Sequence, residues 1–263
     1  MANDIHANDF EAAVPAIRSR YFPLSEAFRW LEAGWRDFTA RPGLSLVYGF
    51  GLLALSALTL AVMFAAGWDH ILFPALSGFM ILGPLIAIGT YEKSRRLAAG
   101  EPLGLRHVLL VPVRSGGQIF FVGLILALLM VFWMRAAVLV YALFFGYRPF
   151  PGLDQIAPML FLTPIGCAML FTGTIIGGLF AAFSFAISIF AIPMLVDRRT
   201  DALTAMGTSM ALVWNNLPVM LMWGGIVLAL FLIAIATGLL GLVVIFPLLG
   251  HATWHAYAAV GRS

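Results

Sequence analysis

Residues 217–260 read LPVMLMWGGIVLALFLIAIATGLLGLVVIFPLLGHATWHAYAAV and contain no Asp, Glu, Lys or Arg. A helix that crosses the roughly 30 Å hydrocarbon core of a bilayer needs about 20 residues. The stretch is therefore long enough for two membrane-spanning helices, and Thr237, Gly238 and Gly241 mark a tight turn between them. We predict spans at about 217–236 and 238–257.

The same length criterion finds four further apolar stretches, at about 44–66, 71–91, 118–145 and 166–196. The uncharged run from 159 to 196 is too long for one span and too short for two, and Pro164 and Gly166 indicate its break. Residues 159–163 then form an interfacial approach, and the span that follows is long and tilted. We predict an all-α fold, a polytopic membrane bundle of six transmembrane helices.

The composition excludes a soluble protein. Hydrophobic residues make up 62% of the chain and charged residues 10%, whereas soluble domains have roughly 25% charged residues. The net charge of +3 comes from short basic patches between apolar runs, which is the pattern of a membrane protein and not of a nucleic-acid surface. Cys167 is the single cysteine, so an intrachain disulfide is excluded.

The distribution of basic residues predicts the orientation. All but two of the 15 Lys and Arg residues fall on the N-terminal side of the predicted membrane, and the exceptions are Arg135 and Arg148. Because Lys and Arg in short connections resist translocation, both termini are expected in the cytoplasm of a bacterial cell, with the chain in the inner membrane. Residues 1–20 are then a cytoplasmic tail without a cleavable signal peptide, and residues 21–263 a single integral membrane domain.

Two segments that precede a span share the same helical spacing of apolar residues. The first contains Leu24, Phe28, Leu31, Trp35 and Phe38, and the second contains Leu203, Met206, Met210 and Val213, at a constant offset of 175 from Phe28 onward. Such spacing is typical of amphipathic helices, which we place at the cytoplasmic interface. Pro42 and Pro218 open the spans that follow.

The later spans repeat as well, since GFMILGPLIAIGTY from Gly78 and GLVVIFPLLGHATW from Gly241 share Gly, Pro-Leu and Thr-aromatic at one offset. A shorter apolar stretch at Leu105, Val108 and Leu109 precedes span three. We predict a parallel repeat of an amphipathic helix plus two spans, present three times. The alternative is that amphipathic helices and Pro-containing spans recur by chance.

Several strings resemble an uncharacterised family of bacterial integral membrane proteins, a domain of unknown function. They are GPLIAIGTYEKSRRLAAGEP (83–102), MRAAVLVYALFFG (134–146), FAIPMLVDRRTDALTAM (190–206) and PLLGHATWHAY (247–257). Some members are labelled cytochrome c oxidase subunit I, yet that subunit needs more histidine ligands and more spans than this chain has. The resemblance therefore implies a membrane protein and no particular reaction.

His251 and His255 are spaced i, i+4 on the last helix, a geometry that can hold a metal ion or lie beside a haem. No Cys, Asp or Glu nearby in sequence completes a ligand shell, and ring-nitrogen hydrogen bonds near the interface are the alternative. We predict no metal site and no cofactor, with these two histidines as the residues to inspect.

Arg135 is the one charge well inside an apolar run, which marks it as a possible functional intramembrane charge. The alternative is an anchor, because the apolar helix before it is already about 26 Å long and the side chain can reach the outer headgroups. The cluster Lys93, Arg95 and Arg96 is expected to fix topology, or to touch anionic lipid. Gly173 and Gly177 form a GxxxG, which packs either inside the bundle or between two copies.

The sequence contains no GxxxxGK[ST], GxSxG or HExxH motif, and the predicted spans contain no Asp or Glu for holding a coupling ion. We predict a non-enzymatic accessory, assembly or structural component of the membrane, whose partners are the lipid bilayer and another membrane complex; the oligomeric state stays open. The alternative is an uncoupled transporter or channel for a small solute. Its polar cavity would be lined by Thr163, Thr172, Thr174, Ser184, Ser188 and Arg135.

Overall fold

The computed structural model describes residues 22–111, 114–146 and 151–260, and this part of the chain is helical, without a strand. The predicted all-α class is confirmed. The tail 1–20, Arg148 and Arg262, which entered the orientation argument, lie outside the described residues.

The helices follow one another with short connections. They are α1 (Glu26–Ala40), α2 (Pro42–Ala65), α3 (Leu72–Ile86), α4 (Ile88–Ala99), α5 (Leu105–Leu109), α6 (Gly116–Phe145), α7 (Leu153–Leu162), α8 (Pro164–Ser188), α9 (Ala191–Asp197), α10 (Ala202–Asn215), α11 (Leu217–Ala236) and α12 (Leu242–Val260). A 3-10 turn, Asp69–Ile71, joins α2 to α3. Within the described ranges, six helical segments are long and apolar enough to cross a membrane, with α3–α4 and α8–α9 each forming one interrupted span. The predicted number of spans is confirmed.

The second span is longer than predicted, because its helix continues through the polar sequence after Tyr91 to Ala99. Glu, Lys, Arg, Leu and Ala are good helix formers, and Gly100 with a positive φ of 65° ends the helix. The helix that contains the second span therefore includes Glu92 and Lys93 at the end predicted to be cytoplasmic. These charges lie beyond the predicted end of the span at Tyr91.

Spans four and six occupy the centre of the bundle. Their apolar parts are 61% buried, whereas those of spans one, two, three and five are 17%, 22%, 22% and 28% buried. Span two reaches the centre only through α4, which packs against both α9 and α12. The first span of each pair lies at the periphery, with its apolar side chains directed outward.

Helix α1 packs along α12 and buries Ala27, Trp30, Gly34 and Phe38. Gly34 is required at the contact, because a Cβ there would lie 2.6 Å from the backbone nitrogen of Ala252. The predicted apolar stripe mostly faces outward instead, with Leu24, Phe28 and Trp35 about half exposed. The helix has two apolar faces, one toward the protein and one away from it.

Helix α10 packs against α8 and α9 in the same manner. It buries Ala202, Ala205, Ser209, Leu212 and Val213, and it exposes Leu203 and Met210. Four of its buried positions follow the buried positions of α1 at the offset of 175: Ala27 and Ala202, Trp30 and Ala205, Gly34 and Ser209, Phe38 and Val213. The short helix α5 likewise packs on α4.

Spans two and four are interrupted where a neighbouring hydroxyl enters the helical hydrogen-bond ladder. The Tyr48 hydroxyl donates to the Ile86 carbonyl, and the Thr90 N–H instead bonds the Ala87 carbonyl at 2.9 Å. In span four, the Ser209 hydroxyl accepts from the Phe190 N–H at 3.1 Å and donates to the Ala186 carbonyl at 2.7 Å. Side chains of adjacent helices thus satisfy the backbone groups that each break releases.

Candidate functional site

Buried polar side chains converge where α1, α2, α4 and α12 meet on the side of the bundle predicted to be cytoplasmic. We call this group the polar junction. It consists of Asp37, Ser45, Lys93, Ser94, His251 and His255. Ser45, Lys93, Ser94 and His251 are each at most 1% exposed. Burial of so many polar groups is tolerated only if they satisfy one another.

Lys93, on α4, packs against the C-terminal end of α1. Its ammonium group donates to the Ser45 hydroxyl at 2.7 Å, to the Arg41 carbonyl at 3.0 Å and to the Phe38 carbonyl at 3.4 Å. The last carbonyls of a helix lack intrahelical donors and carry the negative end of the helix dipole. Lys93 therefore supplies both the missing donors and the compensating charge, and all three of its protons are used.

His251 is hydrogen-bonded through both ring nitrogens. Its Nδ1 lies 3.1 Å from the Thr90 carbonyl and 2.9 Å from the Ser94 hydroxyl, and its Nε2 lies 2.9 Å from the Ser45 hydroxyl. A carbonyl only accepts, so the proton belongs on Nδ1, and Nε2 accepts from Ser45. The Ser45 oxygen in turn accepts from Lys93, which makes the bonding of this triplet mutually consistent.

Asp37 and His255 close the polar junction toward the solvent. The His255 Nε2 lies 2.8 Å from an Asp37 carboxylate oxygen, and both side chains are partly exposed. Burial raises the pKa of Asp37, but hydrogen bonds with His255 and Ser94 and the two nearby imidazoles outweigh it and hold that pKa below its usual value. A continuous chain of contacts thus runs from Lys93 through Ser45, His251, Ser94 and Asp37 to His255.

The two histidines singled out from the sequence both belong to this group, but they have separate partners. Both ring nitrogens of His251 are already hydrogen-bonded, so a metal ion bound to either one would have to displace a hydrogen bond. Within residues 22–111, 114–146 and 151–260, no group of three or more His, Cys, Asp or Glu side chains is placed to hold a metal ion. Asp37, Ser45 and Ser94 were not anticipated from the sequence, and Lys93 was expected to fix topology or to touch anionic lipid.

Ser45 resembles an activated nucleophile, because its oxygen contacts an imidazole and an ammonium group at hydrogen-bond distance. A nucleophile must also meet its substrate. Ser45 is 1% exposed, and protein groups occupy its hydrogen-bonding positions. In this conformation the arrangement holds helices together and leaves no room for a scissile bond.

The remaining charges of α4 are paired with one another. Arg95 binds Glu92 at 2.7 Å and Glu101 at 2.9 Å, and Arg96 binds Glu92 at 2.5 Å. The Arg95 guanidinium holds the pKa of the Glu101 carboxyl below its usual value. The basic cluster anticipated as a lipid contact is largely neutralised within the protein, since Lys93 is buried and both arginines face carboxylates.

Arg135 lies on the outside of the bundle. It is exposed on α6, and it lines a cavity of about 310 Å³ together with Trp68, His70 and Ile71 of the connection between spans one and two. Val131, Met134 and Val138 form the rest of the lining. The structure therefore places this charge beside the turn on the side opposite the polar junction.

The span-four hydroxyls considered as cavity lining mostly bond to their own helices. The Thr163 hydroxyl donates to the Met159 carbonyl at 2.6 Å, Ser184 donates to Phe180 at 2.7 Å, and Ser188 donates to Ser184 at 2.6 Å. A hydroxyl satisfied by its own backbone offers little to a passing solute. Gly177 of the GxxxG motif packs on the Trp133 ring, whereas Gly173 has open space beside it.

Within the described residues, six apolar helical segments of membrane-spanning length, with spans four and six at the centre, define an α-helical polytopic integral membrane protein. Residues 72–197, from α3 through α9, match the family described as predicted integral membrane protein (DUF2189). The resemblance to an uncharacterised membrane protein family, noted from the sequence, is thereby confirmed. Comparison with the curated proteins and with the solved structures gives no match.

Proposed function

We propose that this protein is a non-enzymatic component of the bacterial inner membrane, where it serves as an accessory or structural partner of another membrane complex. One observation carries the proposal: Ser45, Lys93, Ser94 and His251 of the polar junction are buried, and their hydrogen bonds are made within the protein. Groups that could perform chemistry are committed to joining α1, α2, α4 and α12. The polar side chains of this group therefore hold the helices in place.

The position of Arg135 supports this proposal over an uncoupled transporter. A solute pathway through the bundle needs polar groups that face its interior. Arg135 faces outward beside Trp68, and Thr163, Ser184 and Ser188 bond to carbonyls of their own chain segment. The peripheral spans offer a broad apolar surface that either lipid or helices of another protein can cover.

We further propose that α1 and α10 lie in the cytoplasmic interface and belong to a threefold parallel repeat. Three features support this: the buried positions of the two helices that match at an offset of 175, their outward apolar residues, and the packing of α5, α10 and α1 on the second span of the preceding unit. In that arrangement the first unit packs on the last and closes the ring.

If the protein has an accessory role, the amount of a partner membrane complex should depend on it. Native membranes should be solubilised mildly and resolved by size, and the chain of 28.5 kDa should migrate within a larger assembly that contains a second polypeptide. Deletion of the gene should lower the amount of that assembly several-fold, and the wild-type gene should restore it. An unchanged assembly, together with solute uptake by liposomes that Arg135→Gln abolishes, would establish the transporter instead.

The orientation is tested separately. Pro151→Cys in a Cys167→Ser background should react with a membrane-impermeant maleimide applied to the periplasmic side of intact membranes. Thr39→Cys, at the exposed end of α1, should react only after the cytoplasmic side is opened. The reverse pattern of labelling would overturn the proposed topology.

A further inference from the structure

The cavity beside Arg135 is lined almost entirely by apolar surface. Arg135 shares one face of α6 with Val131, Met134 and Val138, and the connection between spans one and two contributes Trp68, His70 and Ile71. Trp68 is 51% exposed. An apolar cavity next to an exposed arginine matches an amphiphile with an anionic head and a hydrocarbon tail.

The Arg135 guanidinium is exposed, and no described side chain is placed to pair with it. It is therefore open to an anion from outside the described side chains. An arginine at the edge of the hydrocarbon region is stabilised by an anionic partner. A phosphate is well suited as that partner, because its oxygens accept two parallel hydrogen bonds from a guanidinium.

The neighbours of Arg135 place the site at the level of lipid headgroups. Trp side chains are enriched where membrane meets water, with the ring at headgroup depth. Trp68 and His70 belong to the connection that turns the chain between two spans, and a turn of this kind lies at the membrane surface. A headgroup phosphate at Arg135 would leave an acyl chain to run along the apolar face of α6 toward the bilayer centre.

We propose that Arg135, with Trp68 and His70, binds the phosphate of an anionic phospholipid in the leaflet opposite the polar junction, and that Val131, Met134 and Val138 contact its acyl chain. The site takes an anionic lipid such as phosphatidylglycerol rather than a zwitterionic one, because the latter carries its own ammonium group in competition with the guanidinium. This inference is independent of the accessory role, since the site would serve any protein in a bilayer.

The test compares lipid binding by variants that leave the bundle intact. Wild-type protein in detergent is titrated with phosphatidylglycerol or phosphatidylcholine, and bound lipids are counted by native mass spectrometry. Arg135→Gln should remove one phosphatidylglycerol, or weaken its binding about tenfold or more, which is a change of about 1.4 kcal/mol or more. Arg135→Lys should keep part of the affinity, and Met134→Leu, which conserves volume and charge, should keep nearly all of it.

Two results would overturn the proposal. One is equal phosphatidylglycerol binding by wild type and Arg135→Gln, with the same number of lipids and the same affinity. The other is displacement of the lipid by millimolar inorganic phosphate, which would identify a site for the free anion. Preference for phosphatidylglycerol over phosphatidylcholine that survives added phosphate and disappears in Arg135→Gln would support the lipid site.

Discussion

Helices α1 and α10 make the same kind of contact and fasten it in different ways. Both bury small or apolar residues at four matched positions, and both lie against the second span of a pair. At the central matched position, α1 has Gly34, which lets two backbones touch, whereas α10 has Ser209, whose hydroxyl enters a broken helix. The spacing of the buried positions determines where each helix packs, and the residue at the central position determines which contact holds it there.

The ends of the two helices differ as well. The C-terminal carbonyls of α1 are capped by Lys93 from another helix, and Asp37 reaches His255 on a third. At the end of α10, the Asn216 amide caps the Leu212 carbonyl one turn back in its own chain. The polar junction thus exists at only one of the two helices, and α1 depends on distant residues where α10 relies on local ones.

The largest effect is expected where backbones touch. Gly34→Ala would place a methyl group 2.6–2.8 Å from atoms of Ala252, and relief requires α1 to move. We expect a loss of about 2 kcal/mol or more, by analogy with overpacked cores. Gly207→Ala, in α10 with open space around it, should be neutral or stabilising by up to about 1 kcal/mol.

Thermal unfolding in nanodiscs, followed by tryptophan fluorescence, measures both glycine variants. A midpoint for Gly34→Ala equal to that of Gly207→Ala would contradict the close approach of α1 to α12.

Removal of the Lys93 ammonium group should follow in size. Lys93→Met keeps the length of the side chain but leaves the Ser45 hydroxyl and the carbonyls of Phe38 and Arg41 without their donor. Each buried group left unpaired costs about 1–3 kcal/mol, reduced where water can enter. Hydrogen exchange should show faster opening of α1 with α10 unchanged. Arg36→Met, an exposed change on α1, provides the control and should alter stability by no more than about 0.5 kcal/mol.

Ser209→Ala should produce a smaller, local effect at α10. The Phe190 N–H and the Ala186 carbonyl lose their partner, yet the methyl group still fills most of the space. A loss of about 1–2 kcal/mol is expected, with faster exchange confined to the junction of α8 and α9. Equal protection of the Phe190 amide in both proteins would show that the hydroxyl does not satisfy the break.

The smallest expected effect is on the pH dependence of stability, to which Asp37 of α1 contributes. The folded pKa of Asp37 is below its ordinary value of 3.8, so its carboxylate stabilises the fold above that value. This stabilisation is lost as the pH falls through the lower, folded pKa. The unfolding midpoint should therefore drop in the most acidic range, and Asp37→Asn should flatten that drop. Persistence of the same drop in Asp37→Asn would assign it to other carboxylates.

Much of the fold was predictable, because hydrocarbon thickness fixes how long an apolar run must be. The exposed stripe of α1 was predictable from periodicity, since Phe28 and Trp35 stand out at helical spacing. The buried stripe was missed, because Gly34 and Ala27 contribute nothing to an apolar pattern although they permit the closest packing. Hydrophobic periodicity therefore reported the side of α1 that faces away from the protein.

The polar junction could not be predicted from spacing. His251 contacts Ser45 and Ser94 from positions 206 and 157 residues away, and only tertiary structure brings such residues together. The sequence did contain one signal, the pair His251 and His255. Its partners were hidden because Lys93 belongs to a basic cluster that also explains topology, and Ser45 is an ordinary residue in the first turn of a span.

The packing of α1 on α12 also sets an order of events during synthesis. His255 follows Asp37 by 218 residues, so at roughly 5–20 residues per second the ribosome needs roughly 10–40 s to supply the second partner after the first. During this interval α1 lacks its main packing partner, α12, although Lys93 and its acceptors at Phe38, Arg41 and Ser45 have already been made. Burial of α1 against α12 can thus occur only after the last span has been made, so the accessibility of that face of α1 to a protease reports whether the last span is in place.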